Sequence, residues 1–217
     1  MLLADVGLTG LFINDCRCLI ELARIAGATD KIPVLRERLE MTEDALELLW
    51  DPEAGIYANR DAVTGKSSRR ISPTNLYSLF SGRVSKERRR SVCEKYLCDP
   101  AELGGEFMLP SISRSDPAFP EQDYWRGRIW APMNYLVYEA LGFAGLTEEQ
   151  GLLADSSRRI FLKEWKEHGH VHENYSAVDG SGCGVENSNC FYHWGGLLGY
   201  IAIIHDDEAR RPGSCDI

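Results

Sequence analysis

From Asp5 to Gly27 the apolar residues return with helical spacing. Leu8, Leu11, Phe12, Leu19, Leu22, Ala23 and Ala26 keep a period near 3.6, and Gly27 can take the left-handed conformation that stops a helix. A second run over 33–50 carries Pro33 in its first turn and Leu35, Leu39, Ala45, Leu46, Leu49 and Trp50 on one face. The linker between them is short, so the two helices must fold back on each other as an antiparallel pair. The pattern recurs along the chain. Ser72-Pro73 opens a helix to Phe80, Ser85 caps one to about Leu97, and further helices run over Ile129–Leu141, Thr147–His168 and Asn189–Ile204. That makes about seven helices in short-linked pairs. Between them, 51–66 reads as a β-hairpin, with Ile56-Tyr57-Ala58 as a strand and Thr64-Gly65 as the closing turn. Residues 99–123, rich in Gly, Pro and Ser, and 170–187 read as long loops, and the polar tail from Asp206 as frayed. An all-α bundle or α/α toroid fits this order.

Composition narrows the classes of function. The chain has 217 residues, 44% of them hydrophobic, enough for one domain with a real core. A formal net charge of −9 argues against nucleic acid or an anionic membrane as a main partner. No apolar run is long enough to span a bilayer, and Met1-Leu-Leu-Ala-Asp5 lacks the basic start of a leader. Seven cysteines without a C-x-x-C pair are expected to be reduced thiols in a cytoplasmic protein, with Cys183 and Cys190 as loop residues. The basic stretch Lys86–Arg90 includes Glu87 and has no phosphate-type glycine loop nearby, so it reads as a solvated helix face. No cofactor is expected.

Two clusters carry chemistry. The first is Asp123-Tyr-Trp-Arg-Gly-Arg-Ile-Trp-Ala-Pro-Met-Asn-Tyr135; the second is His172-Glu-Asn-Tyr175, followed by Gly180-Ser-Gly-Cys-Gly184 and Phe191-Tyr-His-Trp-Gly-Gly196. Tryptophan and tyrosine offer flat apolar faces with a polar rim, suited to the C–H faces and hydroxyls of a sugar, and arginine offers a rigid fork of donors. Trp125 and Trp130 are candidates to line a sugar site, though core packing serves Trp130 about as well. Arg126 is either a ligand for hydroxyls or carboxylates or the ion-pair partner of Asp123, which is itself a possible sugar ligand. His168, His170, His172 and Glu173 could ligate zinc in a metal-dependent enzyme, a weaker reading because no H-E-x-x-H helix is present.

The first cluster resembles the Y-W-R-G-P-I-W…N-Y block of glycoside hydrolase family 63, which includes processing α-glucosidases and mannosylglycerate hydrolases, with family 37 trehalases as distant relatives. Glu173-Asn-Tyr175 before a glycine-rich turn and a Phe/Trp helix start is similar to the family's second block, and Asp5-Val-Gly-Leu8 and Trp50-Asp51…Gly55-Ile-Tyr57 fit it too. The resemblance implies an (α/α)6 toroid with its site at one mouth. It also implies an inverting mechanism, in which a protonated carboxyl assists the leaving oxygen and a carboxylate roughly 6.5–9.5 Å away activates water. By position Glu173 is the implied base. Asp123, Tyr124, Trp125, Arg126, Gly127, Trp130 and Tyr175 are the implied substrate contacts, with Tyr57 and Trp194 as further ones. Arg128 stands where the family has proline, which leaves the local turn open. The family's general acid lies in a Glu-Ser-Gly-x-Asp segment that does not occur here, and Glu106 and Glu121 are loop carboxylates that could stand in for it. Residues 1–205 are therefore expected to form the C-terminal portion of the domain, an incomplete toroid with long loops at the mouth, followed by a polar tail at 206–217. Such a chain would hydrolyse α-glycosidic bonds once supplied with an acid; alternatively it is a non-catalytic sugar-binding fragment. Its unpaired helix face would favour self-association.

Overall fold

The computed structural model describes residues 2–182 and 188–210. A short strand β1 (Leu3–Ala4) leads into α1 (Val6–Ile25), whose first turn is closed by the Asp5 carboxylate accepting from Leu8 N at 2.7 Å. Helix α2 (Ile32–Glu47) returns against α1, as the short linker requires. It stops before Trp50, three residues earlier than the periodicity suggests, because β2 (Trp50–Asp51) pairs antiparallel with β3 (Ile56–Tyr57) around Gly55. Strand β4 (Arg60–Asp61) pairs with β1, and the Asp61 carboxylate accepts from Val63 N and Thr64 N in the Thr64-Gly65 turn.

Residues Pro73–Phe80 form a buried 3₁₀ helix wedged between α1 and a later helix. The Ser78 hydroxyl donates to Asn75 O, three residues back, which suits the tighter winding. The approach to α1 is close: a Cβ on Gly10 would sit 2.3 Å from Tyr77 O, so glycine is needed there. Helix α3 (Lys86–Val92), capped by Ser85, ends in a π turn over Cys93–Leu97. Then come α4 (Ala131–Phe143), α5 (Thr147–His168) and α6 (Leu197–Arg210), which pack together. Val6, Ile13, Leu46, Leu76, Leu79, Val137, Leu141 and Leu153 are fully buried in the main core.

Other boundaries differ from expectation too: the 51–66 hairpin is two ladders, β2 with β3 and β4 with β1, and α4 runs on to Phe143. Ile129 belongs to a backbone bridge with Tyr175, so α4 begins at Ala131. Residues 189–192 are not helical: Cys190 bridges to His172, and helical winding starts at His193 as a 3₁₀ turn before α6. At the other end α6 continues through Asp206, whose carboxylate takes Arg158 at 2.5 Å, so the tail is helical to Arg210; residues 211–217 lie outside those described. The loop over 99–130 is ordered by its own bonds. Arg114 donates to Gly104 O, Phe107 O and Ala177 O, the last lying two residues past Tyr175 of the second cluster.

A groove of about 880 Å³ lies between α1 and α2, with Phe143 of α4 also on its wall. Leu8, Leu22 and Ile25 of α1 and Met41 of α2 are exposed on these helices. Among the described residues no helix is long and apolar enough to cross a membrane.

Candidate active site

The two clusters, about fifty residues apart in the chain, are joined by backbone. Ile129 N donates to Tyr175 O at 2.7 Å, and Tyr175 N returns a bond to Ile129 O at 3.0 Å. Gln122 ties them again: its amide nitrogen donates to Phe119 O and Gly127 O, and its oxygen accepts from Ala177 N at 3.0 Å. Gly127 must be glycine. Its φ is +108°, and an added Cβ would lie 2.6 Å from Phe119 O.

Glu173 is buried and held at both backbone ends. Its N–H donates to Asn189 O at 2.9 Å, and its carbonyl accepts from Trp194 Nε1 at 2.9 Å. Its carboxylate accepts from the Tyr124 hydroxyl at 3.3 Å. Tyr124 adopts φ +44°, Gln122 +46° and Phe191 +59°. A non-glycine residue in that region costs about 1–3 kcal/mol, and such residues gather where a side chain must be aimed. Here the strain turns the phenol toward Glu173. Desolvation first, and then the Glu173 charge, push the Tyr124 phenol above its ordinary pKa, so it remains the donor.

The aromatic residues form layers. Trp125, half exposed, stacks on Trp130 with ring centres 3.7 Å apart and planes 11° apart. Trp130 is fully buried, donates Nε1–H to Tyr124 O at 3.0 Å, and meets Trp194 edge-on. Of the two readings of Trp130, burial favours core packing: it lies behind Trp125, whose indole is half exposed. Beside Trp125 lies a hollow of about 330 Å³ that Asn59, Ser68, Arg70 and Ser111 also line.

Three other expected contacts are moved. Tyr57 is fully buried in the main core, its hydroxyl donating to Glu47 at 2.7 Å and accepting from Arg88 at 2.8 Å, so it is no part of an open sugar site. Burial and Glu47 push its pKa well upward. Tyr175 is also fully buried; its hydroxyl accepts from His172 N and donates to Gly195 O, bracing the Glu173 loop from behind, and burial raises it to about 12. Arg126 is half exposed and binds Asp123 at 2.6 Å and also Glu121, which favours the ion-pair reading and places Asp123 on the rim. Glu121 is thereby engaged, and Glu106 lies opposite Arg159 in an exposed pair.

Sequence reasoning noted Arg128 only as a departure from the family pattern and passed over Glu164; both hold the site. Arg128 is buried, its guanidinium donating to the Asn174 side chain and to the carbonyls of Asn174 and Ser181; burial lowers its pKa. Glu164 is completely buried on α5, with one oxygen 2.8 Å from His172 Nδ1. Its position is legible in retrospect, because Leu153, Ser157, Ile160 and Glu164 form one buried helical stripe. Burial lowers the His172 pKa against the pull of Glu164. Of the glycine-rich turn, Cys183 and Gly184 lie outside the described residues.

Comparison with known proteins bears on the family and the fold. Residues 1–194 match the model of the mannosylglycerate hydrolase MGH1-like glycoside hydrolase domain. A mannosylglycerate hydrolase of Thermus thermophilus is 30% identical over 170 residues, which is 76% of this chain and 37% of that protein. Mannosyl-oligosaccharide glucosidase of Saccharomyces cerevisiae is 34% identical over 117 residues, 47% of this chain and 14% of that protein. Among solved structures, a family 63 mannosylglycerate hydrolase of Thermus thermophilus in complex with glucose superposes with a TM-score of 0.76 at 25% identity, covering 92% of this chain and 47% of that one. Neutral trehalase of Saccharomyces cerevisiae, at 18% identity and a TM-score of 0.69, shares the fold. The chain thus spans less than half the length of these relatives.

Proposed function

Because the chain belongs to the mannosylglycerate hydrolase MGH1-like glycoside hydrolase family, we propose that it forms the base-bearing part of an inverting α-glycosidase acting on small glucosides or mannosides. The observation that carries this reading is Glu173: a buried carboxylate whose backbone is bonded at both ends, touched by the hydroxyl of Tyr124, whose ring in turn meets Trp125 and Trp130 edge-on. A carboxylate so fixed can hold and deprotonate a water, while Trp125 takes the apolar face of a sugar. In the inverting mechanism the acid stands across the bond from this water. Glu106 and Glu121, engaged with Arg159 and Arg126, are poor substitutes. We therefore assign the acid to polypeptide outside these residues, the remainder of an (α/α)6 toroid. A cytoplasmic location belongs to the same proposal.

Sugar binding tests the site without requiring turnover. Trp125→Ala removes the stacking face; covering some 40–60 Å² of apolar surface is worth about 1–2 kcal/mol, or roughly five- to thirtyfold in Kd. The expected result by calorimetry with glucose and mannose is that loss, with thermal stability little changed. Unaltered affinity would move the sugar site elsewhere. The non-catalytic reading is favoured by one observation, the engagement of both loop carboxylates in ion pairs, and it predicts the same binding with no turnover.

The exposed apolar residues of α1 and α2 suit burial against further helices. We expect the isolated chain to self-associate through this face. Light scattering checks it: a concentration-independent monomer would leave that face without a packing role.

A further inference from the structure

Behind the base loop, three metal-ligating side chains converge. His172 and Cys190 face each other across an antiparallel bridge, in a register fixed by Phe191 N donating to Val171 O at 2.8 Å and Glu173 N donating to Asn189 O at 2.9 Å. His170 stands two residues before His172, at a bend in the chain, and the two imidazole centres lie 4.6 Å apart. One ligand atom from each of His170, His172 and Cys190 falls within 4.8 Å of the other two. Around a tetrahedral ion with bonds of about 2.0–2.3 Å, such atoms stand about 3.3–3.7 Å apart, so closing the site takes a shift of roughly 1 Å.

The surroundings are those of a ligand set. His172 is buried, and its Nδ1 lies 2.8 Å from a fully buried Glu164 oxygen. A carboxylate behind a histidine fixes the ring and raises the basicity of its other nitrogen, the usual outer shell of a metal-bound imidazole. Cys190 is an exposed free thiol and His170 is half-buried, which gives an ion a path in and leaves a coordination position open to water. Two imidazoles and one thiol form a borderline-to-soft donor set, suited to zinc and unsuited to magnesium or calcium.

We infer that His170, His172 and Cys190 form a binding site for a zinc-class divalent ion, joining the segment that leads into Glu173 to the bridged segment opposite it. On binding, the Cys190 thiol releases its proton to solvent and a sulfur–metal bond forms; nothing is oxidised. No step of glycoside hydrolysis runs through the ion. It ties together the two segments whose backbone bonds hold Glu173, and it requires no particular role for Glu173.

The test uses the chain of 217 residues, reduced, stripped with a chelator and free of any histidine tag. Cobalt(II) should bind once per chain with a thiolate charge-transfer band in the near ultraviolet, displaced by zinc(II) and not by magnesium(II). Cys190→Ser and His170→Gln should each weaken zinc binding roughly tenfold or more. With zinc present, mass spectrometry should show Cys190 alkylated by iodoacetamide roughly tenfold more slowly, while the exposed Cys18 and Cys98 react as before. This readout on the unmutated chain decides the matter even if a variant fails to fold. Absence of the thiolate band, zinc affinity unmoved by both substitutions, or unprotected Cys190 would each overturn the assignment.

Discussion

If Glu173 is the base, as proposed, replacing it with glutamine is expected to lower turnover of a small α-glucoside or α-mannoside by about 10²–10⁴-fold, the usual contribution of a positioned acid–base group. The amide keeps the size of the side chain and still offers an oxygen to the Tyr124 hydroxyl, so the contact at 3.3 Å survives. The backbone bonds to Asn189 and Trp194 do not involve the side chain at all. What is lost is the ability to take a proton from water, since an amide oxygen is a very weak base. The expected signature is therefore a collapse of kcat with little change in KM or melting temperature. The measurement is steady-state kinetics on the purified natural protein, paired with a thermal melt. Activity within threefold of the parent would remove Glu173 from the mechanism. An equally low activity in parent and variant, with sugar binding intact in both, would select the non-catalytic reading.

Local chemistry made much of this fold legible. The α5 limits, Thr147 and His168, follow from the Thr-Glu-Glu start and from Gly169, whose φ of +71° is the left-handed stop expected of glycine. Boundaries went astray where a tertiary pairing outweighed a local pattern. Trp50 continues the apolar stripe of α2, yet its backbone is claimed by Tyr57; Cys190 looks helical beside α6, yet it is claimed by His172. The site divides in the same way. Glu173 and the aromatic cluster are visible as residue types, but the order of their layers is not. Trp125 lies over Trp130 because Gln122 and Tyr124 adopt left-handed backbone, which no residue preference foretells for an aromatic. Tyr57 attracted attention as a hairpin aromatic, but both residues of its strand are buried, so alternation along the strand gave no outward face.

The residue expected to matter most for the integrity of the site is Arg128, which departs from the family pattern. Arg128→Ala is expected to destabilise the chain by about 2–4 kcal/mol, combining the loss of charge-assisted hydrogen bonds with a cavity at a buried position. One effect works against that loss: removing the side chain also relieves the desolvation of a buried charge, the cause of its lowered pKa. The hydrogen bonds outweigh it, because the guanidinium serves the Asn174 side chain and two carbonyls, at 3.4 and 3.3 Å, which burial leaves short of water as an alternative partner. Arg128→Lys should recover little, since a single ammonium cannot span the Asn174 and Ser181 acceptors as a planar fork does. Because Asn174 follows Glu173 directly, the loosened loop should also weaken sugar binding, an effect that loss of global stability alone would not produce below the unfolding transition. Urea denaturation measures the first effect and calorimetry in the absence of urea the second. A shift below about 1 kcal/mol, the scale of one ordinary hydrogen bond, would mean that the loop is held by its backbone bridge to Ile129 and that Arg128 merely fills space.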